Sequence, residues 1–362
     1  MIEGIRIIAL SSLQEVQEFL LESGFRDDRI SIVEEERDFP YDFSEVKGQS
    51  HAKRALEIAA AGGHNILLIG TPGSGKSMLA KRVLGILPPM SAEESIETTK
   101  LYSISGELNG KRFSWKQRPF RSPHHTTTEI AMIGGGKKMM PGEISLASGG
   151  ILVLDEMNEF KKSVLEALRQ PLEDRVVRII RAMYRLEYQA DTILVGTSNP
   201  CPCGYAFEKN CRCTATEQYH YQKKLSGPIL DRIDLYVEMK RLTEEELLEE
   251  REQESSKEIK KRVLSARKMQ ERRYENCFHN NAKMTQEERK NIVLFPKRIR
   301  YFLKKLLQNW RFPQEALQNC CRWQEPLQIW QEEKNWKERM CWRLFLIDEN
   351  FDSRQKLQNM IK

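Results

Sequence analysis

The chain has 362 residues, of which 40% are hydrophobic and 30% charged, with a net charge of +6. This is the size of two or three modest domains, and the composition is that of an ordinary soluble protein; the mild positive balance gives slight support to an acidic partner such as nucleic acid. No apolar run approaches the ~20 residues of a bilayer span, and the N-terminus MIEGIRIIALSSLQEV lacks the segments of a secretory leader, so no membrane partner and a cytoplasmic location are expected.

In chain order, residues 1–45 read as the end of something larger plus a linker. GIRIIAL is a predicted strand, and SSLQEVQEFLL is a predicted helix with Ser12 and Glu15 spaced as a capping box. One strand and one helix cannot bury a core alone. DFPYDFSEVKGQ is a proline-containing connector.

Residues 46–242 alternate helices and strands. HAKRALEIAAAG is a predicted helix stopped at Gly62 and Gly63. NILLIG, GGILVLDE and DTILVGTSN are predicted strands, with MLAKRVLGIL a helix after the first. Continuous apolar strands separated by helices argue an α/β fold, a parallel sheet covered by helices on both faces. Residues 243–288 open with a charged helical stretch whose opposite charges, at helical spacing, suit a solvated surface.

Gly70-Thr71-Pro72-Gly73-Ser74-Gly75-Lys76-Ser77 fits G-x-x-x-x-G-K-[ST], and it stands between a predicted strand and a predicted helix. Glycines let backbone N–H groups curl around phosphate oxygens, and a helix N-terminus adds partial positive charge. Lys76 would reach the outer phosphates, and the Ser77 hydroxyl would ligate Mg2+. The motif therefore points to ATP with Mg2+ as cofactors. Asp155 and Glu156, at the end of ILVLDE, are the matching acidic pair: Asp155 to hold Mg2+ through water, Glu156 to polarise the attacking water. Asn199, at the end of DTILVGTSN, is placed to sense the γ-phosphate. Arg232, in LSGPILDRIDL, is a candidate arginine finger acting from a neighbouring subunit; the alternative is a surface arginine paired with Asp231 or Asp234.

Cys201, Cys203, Cys211 and Cys213 form a C-x-C…C-x-C cluster, four of the eight cysteines. Two close thiolate pairs across a short loop can make a tetrahedral Zn2+ site; four reduced structural thiols are the alternative.

These motifs and the text between them resemble the magnesium-chelatase-like ATPases of the YifB/ComM group. The matching strings are AAAGGHNILLIGTPGSGKSMLAKRVLGILPPM, RPFRSPHHTTTEIAMIGGGKKMMPGEISLASGGILVLDEMNEF, VLEALRQPLED, NPCPCGY and LSGPILDRIDL. The resemblance implies a P-loop NTPase of the AAA+ kind followed by a helical lid region, and a homo-oligomeric ring that is a hexamer. In the ComM branch it implies DNA as substrate, in branch migration during natural transformation. A motor subunit that drives metal insertion through a partner protein is the alternative of a different class. The resemblance makes residues 1–45 the remnant of a Lon-like domain with its linker. It also makes PFRSPHHTTTEIAMIGGGKKMMPGE a pore-facing insert whose Arg118, Arg121, Lys137 and Lys138 would meet phosphates, with His124 and His125 satisfying loop hydrogen bonds. Ser148 departs from a usual family His and puts one local contact in doubt.

From about Arg289 to Lys362 the chain changes character. Five of the six tryptophans fall here: Trp310, Trp323, Trp330, Trp336 and Trp342. Read one nucleotide earlier, the genetic code turns Asn-Trp into Leu, Cys-Cys into Leu, Trp-Gln into Ala and Met-Cys into Val. Residues 308–331 then resemble the family's helical lid, with a sensing arginine where this chain has Gln324 and Glu325. The expectation is that 289–362 is an out-of-frame tail and that the motor is weakened by loss of the lid.

Overall fold

The computed structural model describes residues 12–21, 40–108, 117–181, 184–207, 210–243, 245–246, 253–274, 279–285 and 288. Its helices are α1 (Leu13–Leu21), α2 (Ser50–Gly62), α3 (Lys76–Ile86), α4 (Ala92–Ser105), α5 (Glu129–Ile133), α6 (Glu143–Leu146), α7 (Lys162–Asp174), α8 (Ala215–Gln222), α9 (Gly227–Leu230) and α10 (Ser256–Tyr274). Its strands are β1 (Ile66–Gly70), β2 (Phe120–Arg121), β3 (Gly134–Gly135), β4 (Met140–Pro141), β5 (Ile151–Leu154), β6 (Val176–Arg181), β7 (Tyr184–Gln189), β8 (Ile193–Ser198) and β9 (Leu235–Met239).

Five strands form one parallel sheet in the order β2-β5-β8-β1-β9. The alternation of side chains along each strand explains their unbroken apolar sequence. Ile66, Leu68, Ile151, Val153 and Val195 pack on one face, against α2, α3 and α10. Leu67, Leu152, Leu154 and Leu194 pack on the other, with Met132, Ile144, Leu165 and Leu168 from α5, α6 and α7. Each such fully buried side chain stabilises the fold by about 2–3 kcal/mol relative to exposure. The expected α/β sheet with helices on both faces, of the P-loop AAA+ kind, is therefore the fold observed.

Helix α2 ends where the sequence says it should. Gly63 adopts the left-handed conformation (φ 74°), and its N–H closes on the Ala59 carbonyl at 2.8 Å. Helix α1 carries the expected cap contact, the Glu15 N–H donating to Ser12 Oγ at 3.2 Å. The charged stretch differs from expectation. Helix α10 is not a wholly solvated helix: Ile259, Val263, Ala266 and Gln270 recur at helical spacing and are buried against α2. Its Arg262 fork grips Glu57 of α2 at 2.7 and 3.0 Å. The expected strand GIRIIAL and the expected out-of-frame tail lie outside the described residues.

Two further features went unread in the sequence. Strand β9 completes the sheet beside β1. A hairpin, β6–β7, stands apart from the sheet, with Ile180 and Tyr184 largely exposed. A second small hairpin, β3–β4, lies against it: Arg181 donates to the Gly136 carbonyl at 3.0 Å, and the Tyr188 hydroxyl to that of Met139 at 2.7 Å.

Candidate nucleotide-binding site

In a parallel sheet the carboxyl ends of neighbouring strands share one edge, and the loops that follow them converge there. The register puts Ile69 of β1 beside Ser198 of β8, and Leu154 of β5 beside Gly196. The segment 70–77 after β1, Asp155 and Glu156 after β5, and Asn199 after β8 are thereby brought together, although they are distant in sequence.

The 70–77 loop is shaped by backbone geometry. Gly73 (φ 78°) and Gly75 (φ 91°) are left-handed, and a Cβ at either would meet nothing within 4 Å, so conformation rather than space requires glycine. Gly70 is the opposite case, since a Cβ there would fall 2.4 Å from the Met239 carbonyl oxygen. Lys76 opens α3, and its ammonium donates to Gly70 O at 2.6 Å, Thr71 O at 2.9 Å and Asn199 Oδ1 at 3.1 Å. Burial pushes its pKa below the ordinary lysine value, while Asp155 and Glu156 pull it back up.

Asp155 Oδ1 accepts from Ser77 Oγ at 2.8 Å and from Thr197 Oγ1 at 2.5 Å. The Glu156 N–H donates to Thr197 Oγ1 at 3.0 Å. Glu156 itself is left-handed (φ 53°, ψ 52°) and exposed. A non-glycine residue in that region costs on the order of 1 kcal/mol, a strain concentrated at functional positions.

The residues fit a magnesium nucleotide. Thr71 Oγ1 and Ser74 Oγ are buried without a partner among the described residues, as hydroxyls awaiting phosphate oxygens would be. The Ser77 hydroxyl and the Asp155 carboxylate are a hard oxygen pair suited to Mg2+.

Two contributors carried no sequence signal that was read. Gln49, in what looked like a plain connector, has φ 50° and donates to Ser74 O at 3.2 Å and Lys240 O at 2.6 Å, stapling the phosphate loop to the end of β9. Thr197 orients both acidic residues. The Gly-Gln pair immediately before a helix was the available signal for Gln49.

Arg232 lies at the other end of the sheet. Its carbonyl accepts from Asn65 Nδ2 at 2.8 Å, and Asn65 immediately precedes β1. The five residues of β1 put ~15 Å between that end and the protein's own phosphate loop. The guanidinium pairs with Glu173 of α7, not with Asp231 or Asp234; its Nε is buried without a partner among the described residues.

The basic residues expected to face phosphates divide. Arg118 is folded back, donating to Pro88 O at 2.6 Å, Gly149 O at 2.5 Å and the Glu94 carboxylate at 2.9 and 3.0 Å. Arg121 is forked between Glu143 at 2.6 and 2.8 Å and Glu107 at 2.8 and 3.3 Å. Both hold the insert down, because a planar guanidinium is matched by nearby carboxylates and carbonyls. Lys137 and Lys138 are exposed in the β3–β4 turn. His124 Nδ1 lies 3.0 Å from Thr126 Oγ1, a loop contact, and His125 stacks beside it with ring centroids 4.0 Å apart. Ser148 has its own local role, accepting from the Asp191 N–H at 3.2 Å.

The four cysteines do come together, all Sγ atoms within 4.8 Å of one another. Cys201 lies 3.3 Å from Cys203 and 3.9 Å from Cys211, and Cys203 lies 3.7 Å from Cys211. A tetrahedral Zn–S length of ~2.3 Å implies S···S separations of ~3.8 Å, so the donor set fits zinc. Burial pushes the Cys201 thiol up to about 12; backbone N–H groups of Arg212 and Tyr205 draw Cys203 down to about 6. Gln218 Nε2 donates to Cys211 Sγ at 3.4 Å and to Cys213 O at 3.3 Å.

Comparison with known proteins gives a consistent result. The family described as magnesium chelatase, subunit ChlI, matches residues 42–247, and its C-terminal counterpart matches 253–324, crossing the point at which the out-of-frame stretch is expected to begin. YifB of Salmonella typhimurium is 47% identical over 235 residues, covering 64% of this chain and 46% of that protein. Competence protein ComM of Haemophilus influenzae is 42% identical over 268 residues, covering 74% and 52%. Probable DNA helicase MCM9 of Arabidopsis thaliana is 24% identical over 195 residues, covering 54% and 23%. The chain spans about half the length of YifB and ComM.

Proposed function

The chain belongs to the magnesium chelatase family, subunit ChlI, and from that premise we propose that it is an ATP-hydrolysing AAA+ motor that assembles as a hexameric ring in the cytoplasm and acts on DNA by branch migration or remodelling. The observation that carries the reading is the meeting of Lys76, Ser77, Asp155, Glu156 and Asn199 at one sheet edge. ATP and Mg2+ are the cofactors of this site, and Zn2+ in the four-cysteine cluster completes the set. Among the described residues no helix is long and apolar enough to cross a membrane.

In this reading the backbone of 70–77, the start of α3 and Lys76 hold the phosphates. Ser77 and Asp155 would hold Mg2+, which supplies charge neutralisation on the transferring phosphoryl group. Glu156, exposed at the end of β5, polarises the water, and Asn199 orients it. Arg232, remote from its own phosphate loop, serves the site of a neighbouring subunit and adds the cation that the transition state needs.

DNA as the substrate is supported by the name of MCM9, a probable DNA helicase, and by the exposed cations of the two hairpins, Lys137, Lys138 and Arg185. A translocating motor needs contacts to the phosphate backbone, which carry no sequence preference. ATP turnover should rise on adding DNA and lose that stimulation steeply with salt, and K137A/K138A should flatten the salt dependence. Turnover indifferent to DNA at low salt would favour the second reading, suggested by the family's name: a motor that drives metal insertion through a partner protein.

A further inference from the structure

The cysteine cluster touches the phosphate loop. A Cβ built on Gly204, which has φ +86°, would fall 2.6 Å from both Cγ and Cδ of Pro72. The tight turn is closed by the Gly204 N–H on Cys201 O at 2.9 Å. At its other end Cys201 is fully buried and stands just beyond Asn199 and Pro200. The second cysteine pair is anchored separately, by Gln218 of α8 and by the Thr214–Glu217 capping box that starts that helix.

We propose that a zinc ion bound by Cys201, Cys203, Cys211 and Cys213 is a positioning device for the ATP site, holding Pro72 on one side and Asn199 on the other. The proposal rests on zinc filling the cluster. A loop this short buries too little apolar surface to fix its own shape, and metal–thiolate bonds take over that task. Gly204 conveys the result by contact alone. Without the ion the four sulfurs have no common centre, the turn relaxes, and the carboxamide that shares Lys76 with the loop loses its aim. The amides and the ammonium that bind ATP remain. The deficit therefore falls on turnover rather than on nucleotide affinity.

The test uses the full chain, measured with its metal, after a zinc-selective chelator with Mg2+ restored, and as G204A, which keeps all four ligands. Elemental analysis should find about one zinc per chain in the parent and in G204A. Hydrogen exchange over 70–77, a segment that holds none of the four cysteines, should rise on chelation and in G204A. The kcat for ATP should fall about tenfold with KM changed less than about twofold. Returning zinc should restore the stripped chain and leave G204A impaired. If zinc is present but its removal loosens only 201–213, with 70–77 and kcat unchanged, the positioning role is overturned while the metal site stands. A metal-free parent with freely titrating thiols overturns both.

Discussion

Asn199 Oδ1 accepts a hydrogen bond from the Lys76 ammonium across 3.1 Å. The contact joins the end of β8 to the start of α3. Because the carboxamide oxygen is committed to the cation, its Nδ2 hydrogens are the ones offered to an anion. In the proposed motor the two side chains would thus divide the work between holding phosphate and aiming at it. Lys76→Ala should abolish nucleotide binding, whereas Asn199→Ala should bind ATP near parent affinity and lose roughly 10- to 100-fold in kcat. Fluorescent-nucleotide titration with steady-state turnover separates the two; equal loss of affinity in both variants would refute the division.

Glu156→Gln should retain ATP and hydrolyse it at least about 100-fold more slowly, since the amide cannot take a proton from water. Its neighbour Asp155 keeps both of its hydroxyl donors, so Mg2+ affinity should not move. Single-turnover hydrolysis with a parallel Mg2+ titration checks this. Rapid hydrolysis by the variant would assign the general base elsewhere.

Arg232→Ala and Lys76→Ala chains are each expected to be inactive alone. Mixed in one ring they should recover partial turnover, because some interfaces then combine an intact phosphate loop with an intact arginine. A mixing curve that never rises above either parent, in material shown by light scattering to assemble, would count against action between subunits.

Asp191 ties the start of β8 to Arg175 at 2.5 Å and to Lys283. Burial works to raise its pKa, but the two cations outweigh burial and hold the carboxyl below the usual range. A depressed carboxylate contributes stability that is present above its unfolded pKa of ~3.9 and is lost as pH falls through the folded value. With a third of the side chain still exposed, Asp191→Asn should cost about 1 kcal/mol at pH 7. The gap should narrow as pH is lowered from 7 into the acid range below the unfolded value of ~3.9. Urea unfolding at both ends of that range measures it, and a pH-independent gap would mean that packing rather than charge is at work.

What could be read in advance follows from burial. Strands β1, β5 and β8 are covered on both faces, so each is a continuous apolar run, and the chemistry follows directly at its end. Strand β9 has alternating burial and begins inside a motif noticed for its arginine, so it passed unread. The β6–β7 hairpin exposes Ile180 and Tyr184, which blurs the alternation of a half-buried strand. For Arg118 and Arg121 the sequence displays a charge without its partner: Glu94, Glu107 and Glu143 come from different elements. Gln49 acts on a carbonyl 191 positions away, a relation that no local pattern holds.

Asn65 joins the arginine to the phosphate loop mechanically. Its side chain binds Arg232 O and the Leu194 N–H, its own N–H donates to Asp234 Oδ2 at 3.0 Å, and its carbonyl receives the Asp234 and Leu235 N–H groups. One residue thus clamps the roots of β1, β8 and β9, and at their far ends stand the phosphate loop, Asn199 and the Gln49 staple. In the proposed ring, a load applied to Arg232 by a neighbour's nucleotide would be delivered to the base of three stiff rods rather than absorbed in a loop. In the proposed ring each subunit would thereby register, at its own site, the occupancy of the next.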